Sequence, residues 1–217
     1  MLASRAPERA RAWLADLDRV GSSEAGTAEL GRLYASATRV LGKAAVSPSA
    51  EEVSGLTAAG VESRLDRWGT DDLGRVCLLM RLASAMPAAE LGSVVAELYR
   101  TGEVRERAAL LSALPFLPSS PALLELGIEA CRVHIQPVFE AIACDNAYPS
   151  REFPEAAFNQ MVLKCLFTGA PLDRVVGLQG RTTPELQRMV RGYVSERRAA
   201  GRTVPADAAL VLVGEPV

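Results

Sequence analysis

Lysine and histidine are nearly missing from this 217-residue chain: lysine occurs only at Lys43 and Lys164, histidine only at His134. A lone histidine with no cysteine at ligand spacing cannot build a zinc-type centre, so no metal site is expected. The four cysteines, Cys77, Cys131, Cys144 and Cys165, lie far apart among apolar helical neighbours. They read as reduced, buried core thiols of a cytoplasmic protein and not as a disulfide frame. No nucleophile elbow and no phosphate-cradling glycine loop is present, and no cofactor is expected.

The formal charge is −2 and the pI is near 5.6. That balance lacks the basic surplus needed to neutralise nucleic-acid phosphates, so nucleic acid is excluded as a partner. A long apolar run is also lacking. The N-terminal MLASRAPERARAWLADL carries charge every few residues and has no apolar stretch of a secretory leader. The longest uncharged run, Ala108–Leu124, is broken by Pro115, Pro118 and Pro121, which excludes membrane insertion.

What the chain does have is proline at a regular pace. Proline suits the first helical position, where its missing N–H would be unpaired anyway, so Pro87, Pro121, Pro137, Pro154, Pro171 and Pro184 mark helix starts. With Thr101-Gly102-Glu103 read as another helix junction, the pace is about one short helix per 17 residues, near the period of helical-hairpin repeats. Apolar spacing agrees. Trp13, Leu14, Leu17 and Val20 form one stripe; Leu30, Leu33, Tyr34, Ala37 and Leu41 a second; Leu73, Val76, Cys77 and Met80 a third. Leu91, Val94, Val95, Leu98 and Tyr99, then Leu186, Met189, Val190, Tyr193 and Val194, continue the pattern. No run alternates with period two.

The expected fold is therefore all-α: antiparallel helical hairpins stacked as a short HEAT/TPR-like solenoid, with no sheet. One domain, 1–217, is expected, with less regular helices over 1–69, a repeat core over 70–200 and an irregular tail over 201–217. Gly42–Gly60 reads as a long connection with one short helix, Ala50–Val53.

Chemistry concentrates in Cys131–Thr168, which holds His134, Lys164, four of the five phenylalanines and the amide run Phe158-Asn159-Gln160. The helix after Pro154 is apolar nearly all round and so should be buried, where Asn159, Gln160 and Lys164 would each need a partner. Gln160 and Lys164 project about 40° apart, one turn from each other, as a two-donor clamp would. The alternative is that the amides cap neighbouring helix ends and Lys164 reaches solvent along its stem.

The helix Pro137–Asp145 turns its N-terminal amides toward His134 and Gln136, where an anion would be welcome, and Arg132 and Arg151 flank it. Glu140 and Asp145, about 140° apart, do not converge, and Asn146 reads as a left-handed C-cap. The candidate binding pocket comprises Gln136, Glu140, Asn146, Tyr148, Arg151, Asn159, Gln160 and Lys164, with walls from Phe139 and Phe158. Catalytic residues are not identified, the candidates being Glu140, Lys164 and His134. A further basic patch, Arg100, Arg105 and Arg107, is either a second binding edge or a solvated face.

The run IQPVFEAIACDNAYPSREFPEAAFNQMVLKCLF, with EVRERAALLSALPFLP before it and YVSERRAAGRTVP after it, resembles the EboA family over roughly Thr70–Pro205. Gln136-Pro137, Phe139-Glu140, Asp145-Asn146, Tyr148-Pro149, Phe153-Pro154 and Phe158-Asn159-Gln160-Met161 through Lys164 carry the likeness. His134 departs from it, because the family pattern favours Asn there. The resemblance implies a secondary-metabolite context, with gene clusters that encode cyclitol-type sugar-phosphate cyclases and handle precursor export. It implies binding of a small polar or anionic metabolite, or of a pathway enzyme. The other reading is a small cofactor-independent enzyme acting on a cyclitol-like or sugar-like metabolite, with Lys164 and Glu140 as its acid–base pair.

Overall fold

The computed structural model describes residues 10–13, 15–16, 27–58 and 65–213, and every regular element among them is helical. Leu14, Leu17 and Val20 of the first apolar stripe lie outside the described residues, as do the ends of the 42–60 connection and of the tail. The one bridge of strand type, Ala45 with Gly69, is isolated. The helices are α1 (Thr27–Leu41), α2 (Ala50–Ala58), α3 (Thr70–Ala85), α4 (Ala88–Thr101), α5 (Val104–Ala113), α6 (Pro121–Ala130), α7 (Gln136–Ala143), α8 (Tyr148–Glu152), α9 (Glu155–Thr168), α10 (Leu178–Arg181) and α11 (Pro184–Ala199).

Proline marks the starts as expected at Pro87, Pro121, Pro137, Pro154 and Pro184. Pro171 opens only a 3-10 turn, Leu172–Arg174, because Val175 returns to extended backbone. Helix α2 is longer than the expected Ala50–Val53. Its start is fixed by a reciprocal cap: Ser49 N–H donates to Glu52 Oε2 at 2.8 Å and Glu52 N–H to Ser49 Oγ at 3.3 Å.

The chain divides into two compact units, Met1–Gly127 and Ile128–Val217, with the boundary inside α6. In the first unit α3 packs against α1 and α5. Of the expected Leu73, Val76, Cys77, Met80 stripe only Val76 is buried; Met80 is exposed and Leu73 and Cys77 are half-buried. The face that goes inside is Asp71, Arg75, Leu78, Leu79 and Leu82, at helical spacing with two charges in it.

Those charges are paired completely. Asp71 Oδ2 accepts from Thr38 Oγ1 at 2.7 Å, Arg75 at 3.1 Å and Arg105 at 2.7 Å. Arg75 also donates to Tyr34 O and Thr38 Oγ1 and lies over the Tyr34 ring. Burial alone would raise the Asp71 carboxyl; the bonds from Arg105, Thr38 and Arg75 outweigh it and hold the carboxyl well below the usual range. Asp72 goes the other way, pushed up by burial and by the Asp71 charge despite its bond from the Gly69 N–H. Arg105, read from sequence as a candidate binding edge, is committed to Asp71 and Asp72. Arg107 donates to Gly102 O and Arg100 O, and Arg100 pairs with Glu97.

In the second unit α9 packs against α7 and α11, and α7 against α8. Phe158, Val162, Cys165 and Leu166 supply its buried side, and α9 stops at Gly169, whose φ of 76° suits glycine and whose N–H closes on Cys165 O. The tail docks: Ala208, Val211 and Leu212 are buried, and Asp207 accepts the Leu172 N–H at 2.8 Å. All four cysteines are free, but only Cys144 and Cys165 are buried; Cys77 and Cys131 are half-buried, which corrects the expectation of four core thiols. Cys77 falls on the flank of α3 because the charged pair takes the face's centre, and Cys131 falls past the end of α6.

Two outcomes follow from this packing. Replacing Asp71 with Asn leaves Arg75 buried beside a neutral group, and should cost about 3–5 kcal/mol in urea unfolding near neutral pH. A carboxyl held low in the folded state stabilises above its unfolded pKa of about 4 and loses that contribution as pH falls further, so Asp71→Asn should also flatten the acid limb of the stability curve. With a disulfide reagent, native Cys77 and Cys131 should react slowly, since burial pushes both thiols up, Cys131 to about 12. Cys144 and Cys165 should react only after denaturation.

Candidate functional site

Helix α6 ends at Ala130, and the chain runs through a turn and extended residues to Gln136. Such an end leaves carbonyls without helical partners. The partner comes from α9: Lys164 Nζ donates to Cys131 O at 2.6 Å and Val133 O at 2.7 Å, with the ammonium 4.5 Å from the centre of the Phe139 ring. Burial pulls the Lys164 pKa down. Lys164 thus neither reaches past the surface nor stands idle; it pins the 131–133 segment to α9.

Alongside that pin lies an open groove of about 800 Å³. Its carbon-rich lining is Ile128, Phe153, Ala156, Ala157, Met161, Leu163 and Phe167, with Cys131 beside them. Its polar lining is Arg132, His134, Gln160, Lys164 and Thr168, which includes three basic side chains and no carboxylate. Helix α9 is therefore not buried all round as its composition suggested: Ala156, Gln160, Phe167 and Thr168 are exposed, Phe167 at 65 %. The Phe167 ring is held edge-on against Tyr193 at 4.7 Å.

Of the residues singled out from the sequence, Arg132, His134, Gln160 and Lys164 meet in this groove, the last two one turn apart as their spacing required. The others are placed elsewhere. Gln136 donates to Glu140 Oε1 at 2.9 Å, and Glu140 Oε2 faces Arg174 at 3.4 Å. Arg174 binds Asp145 through Nε at 2.9 Å and through the terminal nitrogen at 2.7 Å. The two carboxylates thus share a guanidinium, because Asp145 lies beyond the end of α7 and not on it.

Asp145, with φ of 53°, takes the left-handed position expected of Asn146. Its backbone N–H donates to Arg174 O at 2.8 Å, so the same residue fixes both its chain and its charge. Asn146 bridges the break instead, donating to Ala141 O and accepting the Tyr148 N–H. Tyr148 and Asn159 are buried, and the Tyr148 hydroxyl and Asn159 Oδ1 have no hydrogen-bond partner among the described residues. Burial pushes the Tyr148 hydroxyl up to about 12. Arg151 is exposed. Phe139 and Phe158 are buried under Lys164 and Arg181, and the aromatic residues at the groove are Phe153 and Phe167.

Arg174 and Arg181 were not legible as site-shaping residues. Arg181 donates to Ser150 O and Phe153 O, both at 2.7 Å, and so sets where Phe153 sits. Their only trace in the sequence is that each follows a turn former by a few residues. Among the described residues no group of three or more His, Cys, Asp or Glu could hold a metal ion. No described helix is long and apolar enough to cross a membrane.

The family model for EboA, described as a metabolite traffic protein, matches residues 1–212. The chain belongs to the EboA family, and the match takes in the N-terminal third as well as the Thr70–Pro205 stretch that carries the sequence resemblance. No curated protein and no solved structure matches the chain.

Lys164→Met should strand two carbonyls and cost about 1–3 kcal/mol for each that finds no water. Gln160→Leu, at an exposed position, should leave the melting temperature within about a degree of wild type, the range of ordinary surface changes. Equal effects from the two substitutions in thermal melts would contradict the assignment of Lys164 as the pin.

Proposed function

We propose that the protein is a metabolite-binding helical-repeat protein that holds an anionic intermediate of a secondary-metabolite pathway, cyclitol- or sugar-phosphate-derived, in the groove beside α9, and takes part in moving that precursor. The observation that carries this reading is the sign of the groove. A chain of net charge −2 gathers Arg132, His134 and Lys164 around one cavity and places no carboxylate in its lining. Cations around a low-dielectric concavity attract an anion more strongly than the same charges spread over a surface. Family membership, with its metabolite-traffic description, agrees with a binding role.

Binding is favoured over catalysis by where Glu140 lies. An acid–base pair needs both groups at one substrate. Glu140 is engaged by Gln136 and Arg174 and is not among the residues lining the groove, while Lys164 is engaged by two carbonyls.

The test is a thermal-shift screen of the full chain against sugar phosphates, cyclitol phosphates, aromatic acids and prenyl phosphates, beside Ala156→Trp, which fills the groove at an exposed position. At a ligand concentration 100 times Kd, stabilisation is about 2.7 kcal/mol, a rise of several degrees for a chain of this size. At least one class should stabilise wild type and leave Ala156→Trp unmoved. Equal shifts in both proteins, or none in any class, would remove the groove as the binding site.

A further inference from the structure

We infer that the groove selects an amphipathic organic anion, a compact apolar body of aromatic size carrying one carboxylate or phosphate, over a bare polyol phosphate. The inference rests on the groove being the binding site and narrows the anion held there to a derivative whose apolar body, and not its hydroxyls, fills the groove.

Two stripes of α9 face the groove: Ala156, Gln160 and Phe167 on one, Ala157, Met161, Lys164 and Thr168 on the other. From 156 to 167 the helix rises about 16 Å, at 1.5 Å per residue, which is longer than any single hydroxylated ring. Near its start two alanines stand side by side, next to Phe153. Alanine there leaves open the space that any larger side chain would fill, and the same groove is lined by the carbon side chains of Phe153, Met161 and Ile128. One end of the groove is thus shaped for an apolar body.

Lys164 and the 132–134 segment suit the groove to a charge. Lys164 is fixed by the carbonyls of Cys131 and Val133, so it holds its position without a ligand. Arg132 and His134, from the same segment, are exposed and form no ion pair among the described residues. A cation in this place would be repelled. An anion would meet three basic groups with little reorganisation of the one that is pinned.

A polyol is poorly served by the same lining. Each hydroxyl taken from water needs a partner, and apart from the basic groups the groove offers one amide, Gln160, and one hydroxyl, Thr168. The remaining hydroxyls would be pressed against Met161, Leu163 and Phe153. An apolar body instead gains in proportion to the surface it removes from water.

Isothermal titration of the full chain with 1-naphthoate, 1-naphthyl phosphate, 1-naphthol, 1-naphthylmethylammonium and myo-inositol 1-phosphate tests this. Both naphthyl anions should bind one to one, at least about tenfold more tightly than the neutral, cationic or polyol probes. Arg132→Gln should weaken the anions several-fold and leave 1-naphthol unchanged, and Ala156→Trp should abolish binding. Tighter binding of inositol phosphate, or no advantage of anion over naphthol, overturns the inference while leaving the groove a binding site. Naphthyl anions that bind Ala156→Trp as well as wild type overturn both the inference and the groove itself.

Discussion

A chain built from short helices has many helix ends, and each end leaves carbonyls that the helix cannot satisfy. Here long side chains from elsewhere in the same unit fill them. Lys164 serves Cys131 and Val133, Arg181 serves Ser150 and Phe153, and the Tyr193 hydroxyl serves Leu166. In the first unit Thr70 serves Leu41 and Gly42, and Arg107 serves Gly102 and Arg100. The constraint explains why so many basic side chains point inward at backbone in a chain whose net charge is close to zero.

It also explains which parts of the fold were readable. Helix starts carry local marks, proline or a Ser-x-x-Glu box, and local marks can be read from neighbours in sequence. The helices after Pro87, Pro121, Pro154 and Pro184 were legible for that reason. Helix ends closed by a residue tens of positions away carry no local mark. The buried face of α3 was misread for a related cause: Asp71 and Arg75 interrupt the apolar stripe, and only Thr38, Tyr34 and Arg105, far off in sequence, reveal that both charges are satisfied inside. Asp145 took the turn assigned to Asn146 because Arg174 rewards a carboxylate there.

The candidate site divides along the same line. Gln160 and Lys164 share a helix, so their common face followed from the helical repeat alone. His134 joined them because it lies in the segment that Lys164 pins. Glu140, with Gln136 donating to it, was drawn to Arg174, a residue nothing in their neighbourhood announced. The aromatic residues at the groove differ from those expected because Phe139 and Phe158 serve as the undersides of two cations, Lys164 and Arg181.

The groove therefore has one wall that tolerates change and one that does not. Ala156 and Gln160 project, exposed, from a helix whose buried side lies opposite, so the size and polarity of that wall can be altered while the backbone stays put. Lys164 is a rivet as well as a charge. Any substitution there moves the 131–133 segment, and with it Arg132 and His134, so the groove's electrostatic sign is welded to its architecture while its shape is left adjustable.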